Sequence, residues 1–82
     1  MNKFNVGDIV RTCSKIIEHD YLPYENISDW RIREVINKET EDGKYVEYLI
    51  EHILSNNLRK IINQNVLLHD MEQVEGRELT KY

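Results

Sequence analysis

The chain has 82 residues, 40% of them hydrophobic and 32% charged, and a formal net charge of −4. A length of this order holds one small domain that buries only about 60–65% of its unfolded surface, which excludes a second lobe or a deep cleft. One cysteine, Cys13, excludes an internal disulfide and fits a reducing compartment.

Charge is spread evenly, with six basic and eight acidic groups in residues 1–41 and five and seven in residues 42–82. Neither half is a basic arm or an acidic tail, which argues against non-specific binding to phosphate backbones. No apolar run approaches the roughly 18–20 residues that span a bilayer, and the polar Met-Asn-Lys-Phe-Asn start lacks the apolar core of a signal peptide. The expected location is therefore the cytoplasm. No repeat, low-complexity segment or Gly/Ser linker divides the chain.

In chain order, Phe4 to Val10 reads as a first strand, with a Gly7-Asp8 turn leading into β-branched residues. Residues 12–29 are irregular. Pro23 holds Leu22 extended, and the Tyr21-Leu22-Pro23-Tyr24 cluster suggests a loop packed on itself. The strongest signal is the stretch from Trp30 to Leu54, two alternating arms about Glu39-Thr40-Glu41-Asp42-Gly43. Asp-Gly predicts a hairpin because Gly reaches positive φ without a Cβ clash and Asp tolerates it. In the second arm Val46, Tyr48 and Ile50 share one pleat face, and Tyr45, Glu47, Leu49 and Glu51 share the other. Trp30 and Tyr48 are assigned to the core. Residues Leu58 to Ile62 predict a fourth strand. Asn63-Gln64-Asn65 follows as a tight turn that a single helical turn would also satisfy, and Val66 to Met71 predicts a fifth strand. Residues 73–82 read as a polar, frayed tail to a domain of residues 1–72.

An all-α four-helix bundle is the competing reading. Val46, Leu49, Ile50, Ile53 and Leu54, and separately Ile9, Cys13, Ile16 and Ile17, recur at three- and four-residue spacings. Against it, the chain has no alanine, its Ile and Val outnumber its Leu and Met, and Asp-Gly falls where a hairpin needs it.

The element order resembles the small SH3-like β-barrels, including the KOW and Tudor-type domains. The residues that carry the likeness are Val6-Gly7-Asp8-Ile9-Val10, a long first loop, the hairpin Ile32 to Ile53, and the turn Asn63-Gln64-Asn65 before the last strand, Val66 to Met71. The resemblance implies a mainly β, five-stranded barrel and a non-catalytic role as an adaptor, a nucleic-acid binder or a small phage accessory protein. Richness in Asn, Ile, Lys and Glu is similar to phage or mobile-element products of low-GC Gram-positive bacteria. The family's paired aromatics would map on Tyr21 and Tyr24, although its Ala-Leu-Tyr-Asp-Tyr run is absent.

No chemistry-bearing pattern emerges. His19-Asp20, His52 and His69-Asp70 supply metal-ligand types at spacings that match no zinc motif, so these histidines are assigned to solvated or turn-capping roles. Cys13 with a histidine would still need an oxyanion site that so small a scaffold does not offer. Neither a cofactor nor a metal is expected, and no catalytic residue is assigned. The favoured partner is another protein, a host protein if the chain is a phage product, contacted through Tyr21, Tyr24, Trp30 and Arg31, since exposed Tyr and Arg are typical of interface hot spots. The alternative is a nucleic-acid site of Arg31, Arg33, Tyr45, Arg59 and Lys60, against which stands a mixed charged face with Arg31 or Arg33 opposite Glu47 or Glu51.

Overall fold

The computed structural model describes residues 2–12, 27–55 and 57–75. Their elements are β1 (Ile9–Thr12), β2 (Ser28–Thr40), β3 (Gly43–His52), β4 (Arg59–Asn63) and α1 (Gln64–Val74). The strands form one antiparallel sheet in the order β1-β2-β3-β4. The protein is mainly β, and the four-helix alternative is overturned because the segments it needs, residues 28–40, 43–52 and 59–63, are strands.

The hairpin lies where the alternation and Asp-Gly placed it. Thr40 pairs with Gly43 and Glu39 with Lys44, leaving Glu41-Asp42 as the connection. Gly43 carries φ of 130°, and no other residue type among those described has positive φ. Glycine alone therefore supplies the left-handed step and Asp42 does not share it. The Asp42 amide is instead held by the Thr40 hydroxyl at 3.3 Å.

Beyond the turn, Val46, Tyr48 and Ile50 are buried together, as the period-2 pattern required. Their neighbours on β2 change phase once. Ile32 pairs with Ile50 and Glu34 with Leu49, so Arg33 is an extra residue without a partner on β3. This bulge lets Trp30 and Ile32 face inward on one side of it while Val35 faces inward, opposite Tyr48, on the other. A hydrophobic core of Val10, Trp30, Ile32, Val46, Tyr48, Ile50, Leu58, Ile62 and Leu67 results, with Phe4, Val35 and Met71 packed at its margin.

Two predicted strands are corrected. The first begins only at Ile9, because Asn5 to Asp8 is a closed turn. The Asp8 amide donates to the Asn5 carbonyl at 3.0 Å, the Asn5 amide to the Asp8 carboxylate at 2.8 Å, and Gly7 adopts φ of 95°. The fifth strand is instead a helix. Asn63 caps it by accepting from the Asn65 amide at 2.8 Å, and Leu67 and Val74 are buried on one side with Met71 half-buried. Leu67, Leu68, Met71 and Val74 follow the helical spacing i, i+1, i+4, i+7, which an apolar run read as Val66-Leu67-Leu68 conceals. The packed chain thus extends to Val74, past the expected boundary at residue 72.

Among the described residues the sheet is therefore an open one of four strands, and the expected five-stranded barrel is not formed. β1 and β4 are its edges, and α1 packs against β1, β3 and β4. The helix bridges the two edge strands where a closing strand had been expected.

Candidate interaction surface

The two faces of the sheet can be read from the register. Inward rows are Val10–Trp30–His52, Ile32–Ile50–Lys60 and Val35–Tyr48–Ile62. Outward rows are Arg11–Asp29, Ile9–Arg31–Glu51–Arg59, Glu34–Leu49–Ile61, Ile36–Glu47–Asn63 and Lys38–Tyr45.

The inner face is sealed by α1 and by the N-terminal segment, and one phenol ties these parts together. The Tyr48 hydroxyl accepts from the backbone amides of Lys3 at 3.1 Å and Phe4 at 3.3 Å, and it also bonds the Gln64 side-chain oxygen at the start of α1. Phe4 stacks edge-on against the same ring at 5.5 Å. A fully buried tyrosine needs a partner for its hydroxyl. Here that need fixes both the N-terminal segment and the first turn of the helix.

At the opposite end of the inner face lies a buried polar set of Thr12, Ser28 and His52 around Trp30. His52 is fully buried and meets the Trp30 ring edge-on at 4.9 Å. Burial lowers its pKa from the usual 6.5, because the charged imidazolium is poorly solvated there. This corrects the expectation of a solvated or capping role. His52 occupies an inward register position directly opposite Trp30. The hydroxyl of Ser28 and the indole nitrogen of Trp30 are buried with no hydrogen-bond partner among the described residues.

The outer face carries no covering element among the described residues. Ile9 and Ile61, on the two edge strands, are 49% and 56% exposed, and Tyr45 is also exposed. Leu49 and Ile36 are half-buried between them. Charges of both signs are interleaved. Arg11 donates to Asp29 at 3.2 Å, and Arg59 donates to Glu51 at 2.8 Å. Glu51 is buried although it lies on this face, flanked by Arg31 and Arg59 on the neighbouring strands.

The candidate partner-binding set is divided by this geometry. Tyr21 and Tyr24 lie outside the described residues, as do Cys13 and His19. Trp30 is a core residue, as its assignment to the core required, and presents no ring to a partner. Arg31 is exposed on the outer face and makes no ion pair among the described residues. Of the nucleic-acid set, Arg31, Tyr45 and Arg59 share the outer face, Arg33 is the exposed bulge residue, and Lys60 belongs to the inward row with Ile50. Adjacent residues of one strand point to opposite faces, so Arg59 and Lys60 do not act together. The expected opposition of Arg31 and Glu51 is present in the register.

Ile9 and Ile61 were missed by the sequence reading, which had placed Leu49 on the outer pleat face. The available signal was Ile61-Ile62 on a short strand, because two adjacent isoleucines cannot both face one core. Among the described residues no three His, Cys, Asp or Glu side chains stand close enough to hold a metal ion. None of the described helices is long and apolar enough to cross a membrane. Comparison with protein-family models, with curated proteins and with solved structures found no match for the chain.

Proposed function

We propose that the chain is a non-catalytic binding protein of the cytoplasm, related in design to the SH3-like barrels, whose outer sheet face contacts another protein. The carrying observation is the exposure of Ile9, Ile61 and Tyr45 among Arg31 and Arg59 on a face that no described element covers. Apolar side chains mixed with arginine and tyrosine are the composition of protein interfaces. A phage or mobile-element accessory protein directed at a host protein is the setting that the sequence style suggests. A nucleic-acid role is less well supported, because Arg11 and Arg59 are already paired with carboxylates and Glu34 and Glu47 share the surface.

The test is retention of partners by the immobilised chain from a low-GC Gram-positive lysate, with and without nuclease. A protein retained through nuclease treatment by the wild type and lost with Arg31→Glu supports the reading. Recovery of nucleic acid, with binding that falls steeply as salt rises, would overturn it in favour of phosphate recognition.

A further inference from the structure

We infer that Asp42 is a site of spontaneous covalent modification, where the chain rearranges to isoaspartate through a succinimide formed with Gly43. The inference stands independently of what the outer face binds.

The chemistry is a ring closure followed by a ring opening. The main-chain nitrogen of Gly43 bonds to Cγ of Asp42 and gives up its proton, and a carboxyl oxygen leaves as water. A five-membered succinimide results. Water then adds to one of its two carbonyls. Opening at Cγ restores aspartate, whereas opening at the main-chain carbonyl leaves the backbone running through Cγ and frees an α-carboxylate. The water lost at closure is regained at opening, so mass is unchanged and no oxidant or reductant takes part.

Closure needs an uncrowded nitrogen, a free carboxyl group and a main chain that can turn. Gly43 has no side chain to crowd its nitrogen, and a Cβ placed there would meet nothing within 4 Å, so the ring has open space. Asp42 is exposed, and its carboxylate makes no hydrogen bond or ion pair among the described residues. Residues 39–43 are all exposed. The bonds that the Thr40 hydroxyl makes across the turn, from the Asp42 amide and to the Gly43 carbonyl, are both 3.3 Å. Bonds of that length are weak, so the turn opens locally without disturbing the core.

The other aspartates fail these conditions. Only Asp42 precedes a glycine. The Asp8 carboxylate accepts from the Asn5 amide at 2.8 Å, and the next residue is β-branched Ile9. Asp29 is bonded to Arg11, its carbonyl accepts from the Ile53 amide at 3.2 Å, and buried Trp30 follows. Asp70 lies within α1 before Met71, where the helical backbone is fixed. Asp20, which precedes Tyr21, lies outside the described residues.

The rearrangement puts one more carbon into the main chain of the Glu41-Asp42 connection, beside the closing pair Thr40 and Gly43. Lys38 and Tyr45 form the outward row next to that turn, so modification would reshape this end of the outer face.

Incubation of the full chain for several weeks at neutral pH and body temperature, followed by digestion with trypsin, tests this. Cleavage after Lys38 and Lys44 releases residues 39–44, a peptide with one aspartate and no asparagine. A second form of this peptide is expected, equal in mass, eluting separately and methylated by an isoaspartyl methyltransferase used as the probe. Isoaspartate at position 42 should exceed that at positions 8, 29 and 70 by about tenfold or more, because those backbones are held. Asp42→Glu, which would have to close a six-membered ring, should abolish the second form with melting unchanged. Asp42→Asn, which closes the same ring by expelling ammonia, should raise the yield of isoaspartate. Absence of the second form from the folded chain would overturn the inference, and its appearance only in chain unfolded by guanidinium would show that the turn keeps the Gly43 nitrogen away from Cγ. Isoaspartate spread evenly over the aspartates, or a second form that persists in Asp42→Glu, would overturn it as well.

Discussion

The two faces of the sheet are made by the same strands and the same alternation, yet they end in opposite conditions. Inside, Trp30, Tyr48, Ile32 and Ile50 are sealed under α1 and the N-terminal segment. Outside, Ile9 and Ile61 stay exposed beside Arg31 and Arg59. The difference shows that apolar side chains on a strand do not by themselves make a core. A face becomes a core when another element of the chain covers it, and α1 has only one face to give.

Substitutions on the two faces should separate this comparison sharply. Trp30→Ala empties the largest buried side chain and should cost about 3–5 kcal/mol, enough to unfold much of so small a domain, measured by urea denaturation. Leu67→Ala, which loosens α1 from the same core, should cost about 2–4 kcal/mol by the same assay. Tyr48→Phe keeps the ring and removes the hydroxyl, and about 1–2 kcal/mol is expected to be lost. Hydrogen exchange should then quicken at Lys3 and Phe4 while the amides of β2 and β3 remain protected.

A gentler and graded effect is expected from pH. The folded pKa of His52 lies below its unfolded value near 6.5, so the unfolded chain binds the extra proton first as pH falls. Stability contributed by the neutral ring is complete above about pH 6.5 and is lost as pH drops from there toward the lowered folded value. Thermal melting across that range should show this slope, and a His52→Gln variant should lack it. A melting temperature that rises as pH falls below 6.5 in wild type but not in the variant would contradict the assignment. Smallest of all, Ile61→Ala on the outer face should change stability by no more than about 0.5 kcal/mol, since the side chain is already in water.

Much of the architecture was legible in local pattern. Alternation about Asp42-Gly43 marked the hairpin, and the inward set Val46, Tyr48 and Ile50 followed from period 2 alone. The alternation set Arg31 or Arg33 opposite Glu47 or Glu51, and the register realises the first of these with Glu51. The helix at Gln64–Val74 was not, because Val66-Leu67-Leu68 is a run whose period is ambiguous over so few residues, and its partners on β1 and β3 are far away in sequence. His52 escaped as well. Grouped with His19 and His69, it was expected to be solvated or turn-capping, whereas the strand phase placed it opposite Trp30. Of the candidate site, Arg31 remained on the surface, Trp30 went to the core, and the strand phase separated Arg59 from Lys60.

The amino-acid sequence by itself determined the mainly β character, the position of the long hairpin and the inward face of its second strand. These depend on contacts between near neighbours, where glycine's freedom and a two-residue period act directly. Only the tertiary structure decided the bulge at Arg33, the helix that bridges the sheet edges, the burial of His52 and the exposure of Ile9 and Ile61. Each of these depends on which distant segment covers which surface, and the free energy of that choice is shared among residues that no local window contains.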